Sequence, residues 1–89
     1  MGVLVGSAVA GLSATRLFRN DSYGEQSVWF TSHGNSADVW VGSTSVTPTS
    51  NGIVFPKSTT TVISVPSGET LWCAGNGTDV LRWLTFNDD

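Results

Sequence analysis

The chain reads as an all-β protein, a small antiparallel β-sandwich or barrel of six to seven short strands. Three observations predict this. The apolar segments are strand-length and dominated by β-branched and aromatic residues, as in Val39-Trp40-Val41, Val62-Ile63-Ser64-Val65 and Thr70-Leu71-Trp72-Cys73. Each run closes on Gly, Pro or Asn, the residues that supply turn geometries. The closures recur at roughly eight-to-twelve-residue spacing, and no segment keeps a helical period beyond one turn.

Residues 1–12 are apolar, small and glycine-rich, and read either as an edge strand or as an arm that orders on a partner. The β-sandwich domain proper is expected over 13–89. Residues 13–19 form its first strand, which stops at the turn formers Asn20-Asp21-Ser22-Tyr23-Gly24. Residues 26–32, around Val28-Trp29-Phe30, form the next, and His33-Gly34-Asn35-Ser36 turns the chain. Residues 37–42 follow, with Val39 and Val41 on one face and Asp38 and Trp40 on the other. Residues 43–50 are irregular or an edge strand, because Pro48 lacks an N–H for a ladder. Asn51-Gly52 predicts a type I′ hairpin tip, since both residues tolerate positive φ. Short strands at 53–56, 59–65 and 70–74 alternate with turns at Lys57-Ser58, Pro66-Ser67-Gly68 and Gly75-Asn76-Gly77-Thr78. Residues 79–86 form the last strand, in which either Leu81 and Trp83 or Val80, Leu84 and Phe86 face the core. The acidic end Asn87-Asp88-Asp89 is expected to fray.

At 89 residues the chain is one domain, and one this small buries only about 60–65% of the surface its unfolded chain exposes. Small scaffolds lean on disulfides, metals or association. Cys73 is the only cysteine and His33 the only histidine, so an internal disulfide is excluded and a metal centre is not expected. Oligomerisation or docking on a larger partner remains. The net charge is −3, and Ser and Thr, 23 residues together, supply the polar half of the pattern. Four cations, Arg16, Arg19, Lys57 and Arg82, do not make a nucleic-acid footprint. The apolar start lacks a basic flank and is broken by Gly2, Gly6 and Gly11, unlike a secretory signal. No stretch approaches the ~20 apolar residues of a membrane helix. The reading is a soluble protein made in the cytosol.

Catalysis is not expected. A nucleophilic site needs a base beside the nucleophile, and His33 sits in a surface turn. Cys73 reads as a buried, unpaired thiol between Trp72 and Ala74. Six of the seven acids fall in turns, strand ends or the tail; the exception, Asp38, shares a face with Trp40. No cofactor is implied. The tryptophans are the residues with recognition potential. Alternation places Trp40 opposite Val39 and Val41, Trp72 opposite Leu71 and Cys73, and Trp29 opposite Val28 and Phe30, so up to three indoles lie on outer faces.

The segments Val39-Trp40-Val41-Gly42, Val46-Thr47, Asn51-Gly52-Ile53-Val54-Phe55, Ile63-x-Val65-Pro66-Ser67-Gly68-Glu69-Thr70-Leu71-Trp72 and Leu81-Arg82-Trp83-Leu84 resemble a pattern in small β-sandwich structural proteins of tailed bacteriophages, among them capsid decoration (cement) proteins. The resemblance covers about residues 13–86. It implies a virion protein made in a host bacterium, seated on the capsid surface, with the major capsid protein and further copies of itself, as a trimer, for partners. Nucleic acid and membrane are not among them. The residues expected at the capsid or subunit interface are Val3, Leu4 and Val5 of the arm and the outward Trp40 and Trp72. The alternative is a tail-associated receptor- or carbohydrate-binding module in which Trp and Asp38 form a stacking platform.

Overall fold

A computed structural model describes residues 2–87; Asp88 and Asp89, where the sequence predicts fraying, lie outside the described residues. Eight strands are present among these residues, and no helix. They are β1 (Gly2–Val9), β2 (Thr15–Arg19), β3 (Gln26–Thr31), β4 (Val39–Thr47), β5 (Ser50–Phe55), β6 (Thr60–Val65), β7 (Thr70–Ala74) and β8 (Val80–Asn87). Two four-stranded sheets pack face to face: sheet I in the order β1-β8-β3-β6 and sheet II in the order β2-β7-β4-β5. All pairings are antiparallel. The nested pairs β4–β5, β3–β6, β2–β7 and β1–β8, rolled so that β8 meets β3 and β7 meets β4, define a jelly roll, one of the double-sheet Greek-key architectures.

Alternation builds the core. Val28 and Phe30 of β3, Val39 and Val41 of β4, Cys73 of β7 and Leu81 of β8 point between the sheets and are buried. In β2 the register slips between Arg16 and Phe18, so Leu17 and Phe18 both enter the core, as a bulge allows. An aromatic chain crosses the sandwich from sheet to sheet. Trp83 meets Phe18 at 4.9 Å, Phe18 meets Phe30 at 6.4 Å, and Phe30 meets Phe55 at 5.8 Å, all edge to face. Of the two readings of β8, the one with Leu81 and Trp83 inward holds. Gly6 lies beside Trp83 in register, and any Cβ there would run into the indole.

Of the two readings of the first residues the edge strand holds, and two other sequence expectations change. Residues 2–9 are strand β1, paired with β8 over eight residues from Gly2–Asn87 to Val9–Val80 at the edge of sheet I. Residues 43–47 continue β4 in place of an irregular stretch. The Asn51-Gly52 pair is not a hairpin tip: the turn is Thr47-Pro48-Thr49-Ser50, with Pro48 at the position its fixed φ suits. Asn51 does take a left-handed φ of 65°, but inside β5, and Gly52 pairs with Gly42. The physical reason is a close approach. A Cβ on Gly52 would stand 2.5 Å from the Val41 carbonyl oxygen, and one on Gly42 would stand 2.7 Å from that of Asn51. The space left is filled by Val46, which is buried away from the main core.

Candidate functional site

The outer face of sheet I carries an apolar row across all four strands. Val5 pairs with Leu84, Leu84 with Trp29, and Trp29 with Val62, one residue from each strand. Val3 and Phe86 extend it by a second pair. These side chains alternate with Phe30, Leu81 and Trp83, so the strand pleat that fills the core also points them outward. Val3 is 57% exposed, Val5 69%, Trp29 38%, Val62 53% and Phe86 42%. Trp29 and Phe86 stand edge to face at 5.7 Å and 88°, which holds the indole in place. The next row is polar: Ser7, Arg82, Thr31 and Thr60. Between the two rows lies a shallow hollow of about 530 Å³.

The five interface residues expected from sequence do not form one site. Val3 and Val5 belong to the outer face of sheet I. Leu4 points to the opposite side of β1, into a groove of about 780 Å³ at the open end between the sheets, lined also by Phe18, Arg19, Tyr23 and Trp83. Trp40 and Trp72 lie on the outer face of sheet II, on the far side of the sandwich. There Trp40 pairs with Ala74 and Val54, and Trp72 with Gly42 and Arg16. Both indoles are half-buried, and Ala74 beside them is fully buried. The residues added by the structure are Trp29, Val62, Leu84 and Phe86. Alternation had marked Trp29 as outward; what joins it to Val5 is the strand order, which periodicity does not contain.

The buried polar groups serve the architecture. Asp79 accepts hydrogen bonds from the backbone N–H groups of Ser36 at 3.0 Å and Ala37 at 2.9 Å, and from Ser36 Oγ at 3.2 Å and Asn76 Nδ2 at 3.0 Å. These donors, the Ser36 N–H foremost, hold its carboxyl below the usual range against the opposing effect of burial. Asn20, fully buried, donates to the carbonyls of Gly24 and Val65 at 2.9 and 2.8 Å and accepts from the Ser22 N–H at 2.8 Å. Ser32 ties the β3 end to the turn before β6, donating to the Pro56 carbonyl and accepting from the Thr59 N–H. Asp38 accepts from the Lys57 N–H at 2.9 Å, so its carboxylate is engaged in closing a turn. Cys73 is free and buried, and burial pushes its thiol up to about 11. His33 is exposed in its turn. Among the described residues no cluster of three or more His, Cys, Asp or Glu could hold a metal ion.

Fold and surface together define a class: a small jelly-roll module with one sheet covered by an apolar row on its outer side. No protein-family model matches the chain, and no curated protein or solved structure matches it.

Proposed function

We propose that this chain is a structural protein of a bacteriophage virion, a capsid decoration protein that binds the outer capsid surface through the outer face of sheet I and stabilises the shell. The observation that carries the docking part is the row Val5–Leu84–Trp29–Val62, apolar side chains spread over four strands, of which Val5, Trp29 and Val62 are exposed and Leu84 is half-buried between them. A contiguous exposed apolar patch marks an interaction surface. The capsid as partner rests on the sequence resemblance over residues 13–86, and jelly rolls as a class include viral capsid domains, an analogy of fold alone. The mechanism is linkage. A module that binds only the assembled lattice shifts the assembly equilibrium toward it by mass action, and several copies bound together add avidity.

Co-sedimentation with undecorated shells tests the proposal. The protein is expected to pellet with shells at micromolar concentration. Val62→Asp, which places a charge in the row at an exposed edge-strand position, is expected to stay in the supernatant while keeping its thermal midpoint. Wild-type protein that stays in the supernatant overturns the reading.

A second reading, a tail-associated carbohydrate-binding module, draws on Trp40 and Trp72 beside Arg16 on sheet II. It is the weaker of the two because Asp38, its polar partner, is engaged by the Lys57 N–H. Retention on bacterial polysaccharide, abolished by Trp72→Ala, would put it first.

A further inference from the structure

We propose that β1 is a self-pairing edge: two copies of the chain join antiparallel through their β1 strands about a two-fold axis, making one continuous eight-stranded sheet from two copies of sheet I. The proposal concerns copies of the chain alone and stands or falls independently of the capsid reading.

An open sheet edge invites pairing with another chain, and proteins blunt it with charge, proline, bulges or twist. Sheet II is blunted on both edges. β2 carries Arg16, Arg19 and a bulge, and β5 carries the left-handed Asn51 where its register with the bulged β4 shifts. The β6 edge of sheet I is polar at Thr60, Thr61 and Ser64, and the Ser64 hydroxyl donates to the Glu25 carboxylate. β1 has none of these devices. Gly2–Val9 contains no charge and no proline and keeps an unbroken register with β8. Its first half is bare on both faces: Val3 is 57% exposed, Leu4 42% and Val5 69%.

The hydrogen-bond direction shows which backbone groups of β1 face outward. The Ala10 N–H donates to the Asp79 carbonyl at 2.8 Å, just beyond the end of the β1–β8 ladder and in its register. Backbone groups alternate sides along an antiparallel strand. Leu4, Gly6 and Ala8 therefore turn their N–H and C=O groups toward β8, and Val3, Val5, Ser7 and Val9 turn theirs outward. One two-fold register uses every outward group. It sets Val3 against Val9 of the second copy and Val5 against Ser7 of the second copy, with about eight hydrogen bonds. In that register Gly6 meets its own copy on the axis, where no side chain crowds, and Leu4 lies against the small Ala8 of the second copy. The same residues carry the outward side chains, so the two apolar outer faces merge. An uncharged strand has nothing to select a foreign strand, whereas a two-fold contact needs only self-complementarity. A trimer closed through β1 against β6 of the next copy would instead set apolar residues against threonines and a serine.

Edge pairing alone buries less than the ~800 Å² per partner of a standard interface, so association in the micromolar range is expected. Sedimentation of the full chain across that range, with amide hydrogen exchange at each end of it, tests the pairing. Dimers are expected, with the amides of Val5, Ser7 and Val9 gaining protection as concentration rises. Val5→Pro removes an outward N–H without touching the β8 ladder, and is expected to raise the dimer dissociation constant at least about tenfold while keeping the fold. Val5→Lys gives the same readout if the proline variant fails to fold. A chain that stays monomeric up to about millimolar concentration, far above the expected range, overturns the proposal. So does a dimer that both variants leave intact. A trimer broken by Val5→Pro and equally by Val62→Pro in β6 would place β1 against β6 and also overturn it.

Discussion

Asp79 joins the turn before β8 to the loop before β4, and it does so best while ionised, because four of its contacts are donors. Its folded carboxyl lies below the ordinary 3.8, so the unfolded chain binds the proton more readily than the folded one. The stability it contributes is complete above that ordinary value and is lost as pH falls through it toward the lower folded one. Acid unfolding followed by tryptophan fluorescence is expected to show this loss, and Asp79→Asn to flatten it. Cys73 acts at the other end of the scale. Its folded thiol near 11 against an ordinary 9.0 means the unfolded chain releases the proton first, so stability is expected to fall as pH rises from about 9 to about 11. Cys73→Ala should remove that alkaline slope in denaturant titrations, and the native thiol should resist labelling at pH 8. At Gly6, a Cβ meets the Trp83 ring, which is itself wedged on Phe18. Gly6→Ala is expected to destabilise the fold by about 1–3 kcal/mol, the usual range for overpacking, read as a lower denaturant midpoint.

The β4–β5 hairpin departs furthest from its local turn signal. The sequence reading assigns Asn51-Gly52 to a two-residue tip with positive φ at both residues; in the structure only Asn51 has it. The two positions should therefore respond differently to mutation. Asn51→Gly is expected to change stability by less than about 0.5 kcal/mol, since glycine accepts a left-handed φ freely. Gly52→Val is expected to cost at least ~1 kcal/mol, because its Cβ would sit 2.5 Å from the Val41 carbonyl oxygen. Equal tolerance at both sites in urea denaturation would contradict the close approach of β4 and β5. The tip is legible in part: Pro48 predicts a break in strand pairing, and it does sit in the turn. What the residues could not announce is the surplus of residues in β4 between Gly42 and Thr47, which folds Val46 over the two glycines.

At the scale of the molecule, β1 is part of the sandwich, not an appendage to it. It covers the free side of β8 along eight residues, and Ala8 packs against the buried core. Deletion of residues 2–9 is expected to abolish cooperative thermal unfolding, because it bares the flank of β8 beside Leu81 and Trp83. A truncated chain that keeps a sharp transition within a few degrees of the full chain would show β1 to be dispensable. The jelly roll also sets the pace of folding. Its closing contact joins Gly2 to Asn87, the most distant pairing among the described residues, and folds dominated by such non-local pairings form in about milliseconds to seconds.

Most strand segments, and the facing of residues in β3, β4 and β7, are legible in the sequence, whereas the pairing of residues 2–9, the inward face of β8 and the bulge that buries both Leu17 and Phe18 are not. Strand period two is a local property, and it is written in Val28-Trp29-Phe30, in Val39-Trp40-Val41 and in Leu71-Trp72-Cys73. It also carried the turn at Pro66-Ser67-Gly68, where Gly68 takes a φ of 81°. Which residues become neighbours depends on the strand order. Val5, Leu84, Trp29 and Val62 come from four segments up to 79 positions apart, and they share a row because of the order β1-β8-β3-β6. The same order separates Val3 and Val5 from Trp40 and Trp72, which the outward pattern alone could not divide. Asn20 and Asp79, read as turn and strand-end residues, are buried because distant loops close over them and donate to or accept from them. Alternation follows from the pleat of one strand, whereas adjacency follows from pairing free energies summed over the whole roll, which no single segment contains.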